Sequence, residues 1–273
     1  MSVLTETFTL ANGNAIPKIG FGTWQIPNGA PAYDAVAAAL AAGYRHIDTA
    51  RAYGNEASVA DAIRDSGIPR EQIFLTTKLP AEVKTYEGAH TSFDVTLDAL
   101  GMDAVDLYLI HAPWPWGERG ADYAAGNAEA WRAMEEILDS GRAKAIGVSN
   151  FSVSDLEKLA STARETPQAN QIRWFVGHTQ DDVVAYGREH GILTEAYSPL
   201  ATGRILDDPQ VRQIAVQYDR TVAQVCIRYA LQHDLLPLPK TTTPSRILEN
   251  ADVDFVISDD DMAYLDGLED LTR

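Results

Sequence analysis

Short apolar runs alternate with longer amphipathic stretches along almost the whole chain. The runs at 19–21, 45–47, 73–77, 105–110, 145–148, 169–172, 193–196 and 235–238 read as eight strands buried in a parallel sheet. Between them, residues 31–42, 56–66, 88–100, 128–140, 154–162, 181–190 and 221–232 carry apolar positions at helical spacing, and a further helical pattern covers 259–268. Gly43, Gly101, Gly141 and Gly191 each follow such a pattern, where a left-handed residue ends a helix. Ser154 with Glu157 three residues on predicts a capping box. Ahead of the first strand, 8–16 reads as a hairpin whose Asn12-Gly13 supplies the positive φ angles of a tight turn.

Strand and helix therefore alternate eight times, which fits a closed (β/α)8 TIM barrel behind an N-terminal β-hairpin. No Pro-, Gly- or Ser-rich linker divides the chain, so one domain over 1–273 is expected. An open doubly wound sheet is the competing arrangement, and periodicity alone does not separate the two. Its usual marker, G-x-G-x-x-G after the first strand, is absent: Gly20-Phe-Gly22 is followed by Thr23, Trp24 and Gln25.

Composition narrows the function. Hydrophobic residues make up 45% of the chain and charged residues 22%, enough apolar surface for a large core. The formal charge of −17 disfavours nucleic acid and anionic membranes, yet leaves room for a small anion in a local basic pocket. Cys226 is the only cysteine, so an intrachain disulfide is impossible, and its place in a helical pattern reads as a buried structural thiol. The first ten residues show no secretory pattern and no apolar run is long enough to span a bilayer. A cytoplasmic protein is expected, and a monomer, because no separate apolar interaction segment stands out.

In a barrel of this kind reacting groups collect at the C-terminal ends of the strands. Reading at or just past the end of each run gives Asp48 and Tyr53, Lys78, His111, Ser149 and Asn150, Gln171, Tyr197 and Ser198, and Lys240 and Thr241. Each alone has a plain structural reading: a capping Asp48, a solvated Lys78, a hydrogen-bonded His111, a Tyr53 packed at the rim. Together they specify a chemistry. A phenol with a reference pKa of ~10 is a poor acid at neutral pH, and a neighbouring ammonium lowers that value. Lys78 is placed to do this, Asp48 to keep it charged, and His111 to hydrogen-bond a carbonyl oxygen beside the phenol. Such a set suits a carbonyl that accepts hydride.

Gly43-Tyr-Arg-His-Ile-Asp-Thr-Ala50 with Tyr53-Gly-Asn-Glu56 resembles the signature of the aldo-keto reductase family. Leu107-Tyr-Leu-Ile-His111, Gly147-Val-Ser-Asn-Phe151 and Pro239-Lys-Thr-Thr-Thr-Pro-Ser-Arg246 resemble its later motifs, and the likeness is nearest to bacterial 2,5-diketo-gluconate reductases. The resemblance implies NADPH-dependent carbonyl reduction without a Rossmann domain. It makes Tyr53 the general acid, tuned by Lys78 and Asp48, and His111 the carbonyl-orienting donor. It assigns Ser149, Asn150 and Gln171 to the nicotinamide carboxamide, Tyr197 to the face of the nicotinamide ring, and Ser198 and Leu200 to the pyrophosphate path. Lys240, Thr241 and Arg246 then take the 2′-phosphate, with Glu249 and Asn250 on the adenine side. Two cations six residues apart form a small phosphate clamp on an otherwise acidic protein.

Trp24, Trp114 and Trp116 are expected to wall the substrate pocket, with the loop 113–127 along one side. The family pattern after Gln171 is Glu-Tyr/Phe-His-Pro, whereas this chain has Arg173-Trp-Phe-Val176, so the neighbouring loop must pack differently. After 259–268 only five residues follow, reaching roughly 18 Å when fully extended, which predicts an open pocket walled in part by 173–175. Rival chemistries fit less well. A redox-sensing module that only binds NADPH needs no proton relay, and a Schiff-base aldolase built on Lys78 has no use for Lys240 and Arg246. The six histidines include no H-x-H or H-E-x-x-H pair, which leaves metal-dependent hydrolysis without a ligand set.

Overall fold

Each predicted apolar run forms a strand, and most of the strands extend past their last apolar residue. The computed structural model describes residues 2–269. A two-stranded antiparallel hairpin, β1 (Thr7–Thr9) and β2 (Ala15–Pro17), precedes β3 (Phe21–Gly22), β4 (His46–Asp48), β5 (Phe74–Leu79), β6 (Leu107–Ile110), β7 (Ile146–Ser149), β8 (Ala169–Arg173), β9 (Leu193–Tyr197) and β10 (Leu236–Leu238). The last eight pair in parallel, each with its neighbours in the chain. The two edges meet where the Gly20 N–H donates to the Pro237 carbonyl (3.1 Å) and the Gly22 N–H to that of Pro239 (3.0 Å), which closes the sheet into a barrel. The open doubly wound alternative is thereby excluded. A Cβ at Gly20 would lie 2.5 Å from Leu238 Cδ2 and 2.6 Å from His46 Nδ1, so closure requires glycine there.

The shifted boundaries have one cause. Asp48, Lys78, Ser149 and Tyr197 are polar, so hydrophobicity ends those runs before them, while Gln171 lies inside its own run. In the barrel they point inward at the top of β4, β5, β7, β8 and β9, and the ladder continues through them.

The helices are α1 (Ala30–Ala41), α2 (Glu56–Asp65), α3 (Tyr86–Leu100), α4 (Ala124–Asp139), α5 (Val153–Ala160), α6 (Asp181–Glu189), α7 (Pro209–Gln217), α8 (Val222–Gln232), α9 (Pro244–Ala251) and α10 (Asp259–Asp266). Gly43, Gly101, Gly141 and Gly191 all adopt positive φ, as expected. Two local readings are corrected. The capping box at α5 is Ser152 with Asp155, not Ser154 with Glu157, so the cap lies two residues earlier and the helix starts at Val153. In the hairpin only Gly13 has positive φ (88°); Leu10 N–H bonds to Asn14 O across a three-residue loop, where one left-handed position suffices. Helix α7 was missed because its apolar face is narrow, only Val211, Ile214 and Ala215 being buried; Asp208 caps it, accepting from the N–H groups of Gln210 and Val211.

Apolar side chains fill two layers. The barrel's lower interior is plugged by Phe74, Leu107, Leu109, Leu236 and Leu238, with Leu10 and Ile16 from the hairpin region beneath them. The outer layer lies between strands and helices and includes Trp131, Phe93, Tyr108 and, on the far side, Trp174 and Tyr229. Cys226 belongs to this second cluster, and burial pushes its thiol up to about 12, so it is inert. Among the described residues no helix is long and apolar enough to cross a membrane.

Candidate active site

The upper end of the barrel replaces the apolar plug with a polar network. Strand alternation decides this: on β4, Ile47 faces the helices while Asp48 faces the axis, and Lys78 does the same on β5. Lys78 has no solvent exposure. Its ammonium donates to both carboxylate oxygens of Asp48 (2.8 and 2.7 Å), to the carbonyl of Thr49 (2.9 Å) and to the hydroxyl of Tyr53 (3.3 Å). Burial is the largest single influence and works against this charge, but Asp48, Tyr53 and Glu195 together outweigh it and the ammonium pKa is raised.

Tyr53 arrives from a short 3-10 turn, Arg51–Tyr53, that follows β4 and ends in left-handed Gly54 (φ 67°). The turn is tied outward by Arg51, whose guanidinium donates to Ser92 Oγ at 2.8 Å. The expected lowering of the Tyr53 pKa is reversed. Loss of hydration dominates and pushes the phenol up to about 12, with Lys78 pulling the other way. Tyr53 therefore rests protonated, and Lys78 offers its stabilisation as the proton leaves. His111, at the end of β6, meets Tyr53 edge to face at 5.5 Å. Burial first, and Lys78 second, push its imidazole down to about 3, so it is neutral and donates a single N–H.

A second row of groups runs from β7 to β9. Ser149 Oγ donates to Gln171 O (2.7 Å), and Asn150, held at φ 62°, donates to His111 O (2.9 Å) and Ser149 Oγ (3.0 Å). The Tyr197 hydroxyl donates to Asn150 Oδ1 (2.7 Å). Gln171 Nε2 donates to Asp48 Oδ2 (2.8 Å) and to Glu195 Oε2 (2.7 Å), which joins the two rows. Ser198 has positive φ (52°), and half-buried Leu200 packs against both outer clusters. Lys240 and Arg246 lie apart from this network, beyond β10 and in the first turn of α9, both exposed and without a salt bridge among the described residues. Thr241 Oγ1 accepts from Thr243 N–H at 3.1 Å, and on α9 Glu249 is half-buried and Asn250 buried.

The aromatic rim is present. Trp24 is 44% exposed, the largest exposed ring, and its loop is pinned by Asn55, which donates to Thr23 O and Ile26 O at 3.0 Å. Trp116 packs edge-on to His111 (5.4 Å) and to Trp114 (5.4 Å). Arg119 lies over both indoles at 5.4 Å, a contact that no spacing along the chain singles out. Lys84 fixes the base of this loop by donating to Ala112 O and Asn127 Oδ1 (2.7 Å each), while Asn127 donates to Pro113 O. Of the segment 173–175, two rings do not wall the pocket: Trp174 stacks on Tyr229 at 5.1 Å and Phe175 is buried with it in the outer layer, while Arg173 is half-buried at the end of β8 in register with Tyr197. Beyond Glu269 the expected short tail lies outside the described residues. Glu195 was also missed, because a single acid inside an apolar strand carries no spacing signal. A cavity of about 460 Å³ opens at the opposite end of the barrel, beside the hairpin, and holds none of these groups.

The chain matches the model of the aldo/keto reductase family over residues 18–270. It is 42% identical over 270 residues to an uncharacterized oxidoreductase, YtbE, of Bacillus subtilis (97% of this chain, 93% of that protein). It is 41% identical over 266 residues to the glyoxal reductase of the same organism (97% and 93%). Its fold matches the crystal structure of an aldo/keto reductase from Brucella melitensis with a TM-score of 0.89 at 44% identity (96% and 98% covered). It also matches a Bombyx mori aldo-keto reductase in complex with NADP, with a TM-score of 0.88 at 32% identity (98% and 94%).

Proposed function

This chain belongs to the aldo/keto reductase family, and from that premise we propose that it reduces aldehyde and ketone carbonyls to alcohols with NADPH, Tyr53 giving the proton. In reverse it oxidises the CH–OH group of the alcohol. The observation that carries this reading is the contact of a buried, carboxylate-held ammonium with the phenol at the barrel mouth, Lys78 Nζ to Tyr53 OH at 3.3 Å. The likeness to a glyoxal reductase supports small aldehydes and dicarbonyls as substrates.

The residues present fit the cofactor. Lys240 and Arg246, at a strand end and a helix start, make no salt bridge among the described residues, which suits a 2′-phosphate. Among the described residues the Gln171 side chain bonds only through Nε2, which leaves its Oε1 for a ligand. When bound, NADPH supplies hydride to the carbonyl carbon.

The protein's own work is to orient and protonate. His111, neutral and neighbouring Tyr53, hydrogen-bonds the carbonyl oxygen and polarises it. Negative charge then gathers on that oxygen, which becomes more basic than a phenolate, and Tyr53 OH transfers its proton. Lys78 meets the forming phenolate, and Asp48 keeps Lys78 charged. A positioned donor of this kind is worth roughly 10²–10⁴ in rate. The test is loss of NADPH absorbance with a panel of aldehydes, ketones and keto-sugars. Turnover of none of them by folded protein that binds NADPH contradicts the reading and favours a binding-only role.

A further inference from the structure

Glu195 is a carboxylic acid on the barrel axis that the proton relay does not use. It projects inward from β9 two residues below Tyr197 and has no solvent exposure. Oε2 accepts one hydrogen bond, from Gln171 Nε2 at 2.7 Å, and Oε1 is buried without a partner. Holding a carboxyl group there is costly, and an aliphatic side chain would fill the space without that cost. The position therefore needs a reason beyond packing.

The reason lies in Gln171. The two ends of a carboxamide are alike in shape and opposite in hydrogen bonding, so a glutamine points the right way only if its neighbours force it to. Asp48 alone is a weak guide, because both of its oxygens already accept from Lys78. Glu195 supplies the second acceptor. With Asp48 Oδ2 at 2.8 Å and Glu195 Oε2 at 2.7 Å, both hydrogens of the Gln171 amide are drawn inward. Oε1, at the other end of the amide, has no partner among the described residues. We propose that Glu195 is a positioning residue that, with Asp48, locks the Gln171 carboxamide so that its carbonyl oxygen accepts a hydrogen bond from the carboxamide NH2 of the nicotinamide. This rests on the NADPH reading above.

The lock works whichever way Glu195 is ionised. Burial first and Asp48 second push its carboxyl up to about 7, with Gln171 and Lys78 opposing, and Oε2 accepts from Nε2 in either state. A reversed amide would set the Gln171 NH2 against the cofactor's own NH2 and its oxygen against two acceptors, losing a hydrogen bond on each side. The arrangement selects a nicotinamide carboxamide over a ring carrying a methyl ketone.

The test compares binding of NADPH and of its 3-acetylpyridine counterpart, which lacks the NH2, by quenching of tryptophan fluorescence. Glu195→Leu is expected to weaken NADPH about tenfold and the ketone analogue by less than threefold. In a Gln171→Ala background the same change is expected to alter neither by more than threefold. Glu195→Gln, which keeps volume and one possible acceptor, is expected to show the same selectivity to a smaller degree, and it carries the comparison if the leucine variant does not fold. Equal weakening of both compounds, no weakening, or an undiminished effect without Gln171 overturns the proposal. Wild-type protein that binds neither compound overturns the cofactor reading itself, and the proposal with it; tight NADPH binding that ignores Glu195 overturns the proposal alone.

Discussion

Arg246→Ala is expected to separate NADPH from NADH. Arg246 is exposed on the first turn of α9 and makes no salt bridge among the described residues, so its loss strands no buried partner and leaves stability within about 0.5 kcal/mol. The chain's formal charge is −17, but at physiological ionic strength charges beyond roughly 8 Å are screened, so the 2′-phosphate depends on the cations that touch it. A hydrogen bond to a charged group contributes about 1.5–3 kcal/mol, which is roughly ten- to a hundredfold in affinity. NADH lacks that phosphate, and its binding is expected to change by less than about twofold. Fluorescence titrations of wild type and variant with both cofactors measure this directly, and raising the salt concentration should weaken NADPH more than NADH, to a greater degree in the wild type than in the variant, which keeps Lys240. If Arg246→Ala weakened both cofactors alike, the phosphate clamp would be the wrong account of this corner of the barrel.

Other consequences follow from the same geometry. Gly20→Ala pushes a methyl group against Leu238 and His46 at the barrel seam, and a loss of about 1–3 kcal/mol is expected in urea unfolding; unchanged stability would mean the seam is not tightly closed. Lys78→Met leaves Asp48 buried and uncompensated, with an expected cost of about 3–5 kcal/mol together with loss of turnover, read by thermal unfolding and NADPH oxidation. Glu195 has its pKa raised from 4.5 to about 7, so between those values the folded state keeps a proton that the unfolded chain has released. Its contribution is greatest below about 4.5 and declines as pH rises to about 7. The stability of Glu195→Gln relative to wild type is therefore expected to improve by about 3 kcal/mol across that window; a difference that does not vary with pH contradicts the assignment.

The barrel was legible because its strands are short, apolar and regularly interrupted, and the glycines that end its helices stand where left-handed residues are needed. What was not legible depends on neighbours that are distant in sequence. The sign of the Tyr53 shift is one case: sequence puts a lysine beside the phenol, and only the fold shows how little water reaches it. Trp174 is another, since its partner Tyr229 comes from α8 and turns an expected pocket wall into packing of the outer layer. Glu195 and Arg119 gain meaning from Gln171 and from the paired indoles, contacts that no local spacing announces. The cap at α5 failed for a smaller reason: Ser152 and Ser154 each have an acidic residue three positions on, and the helix begins at the first.

The central claim is that the Tyr53 hydroxyl supplies the proton in a carbonyl reduction. Its most direct test is Tyr53→Phe, which removes one oxygen from a half-buried ring and leaves the Lys78–Asp48 pair in place. With NADPH and an aldehyde that the wild type reduces, kcat is expected to fall by roughly 10²–10⁴ while NADPH affinity stays within about threefold. A folded Tyr53→Phe protein that turns over within about tenfold of wild type would contradict it.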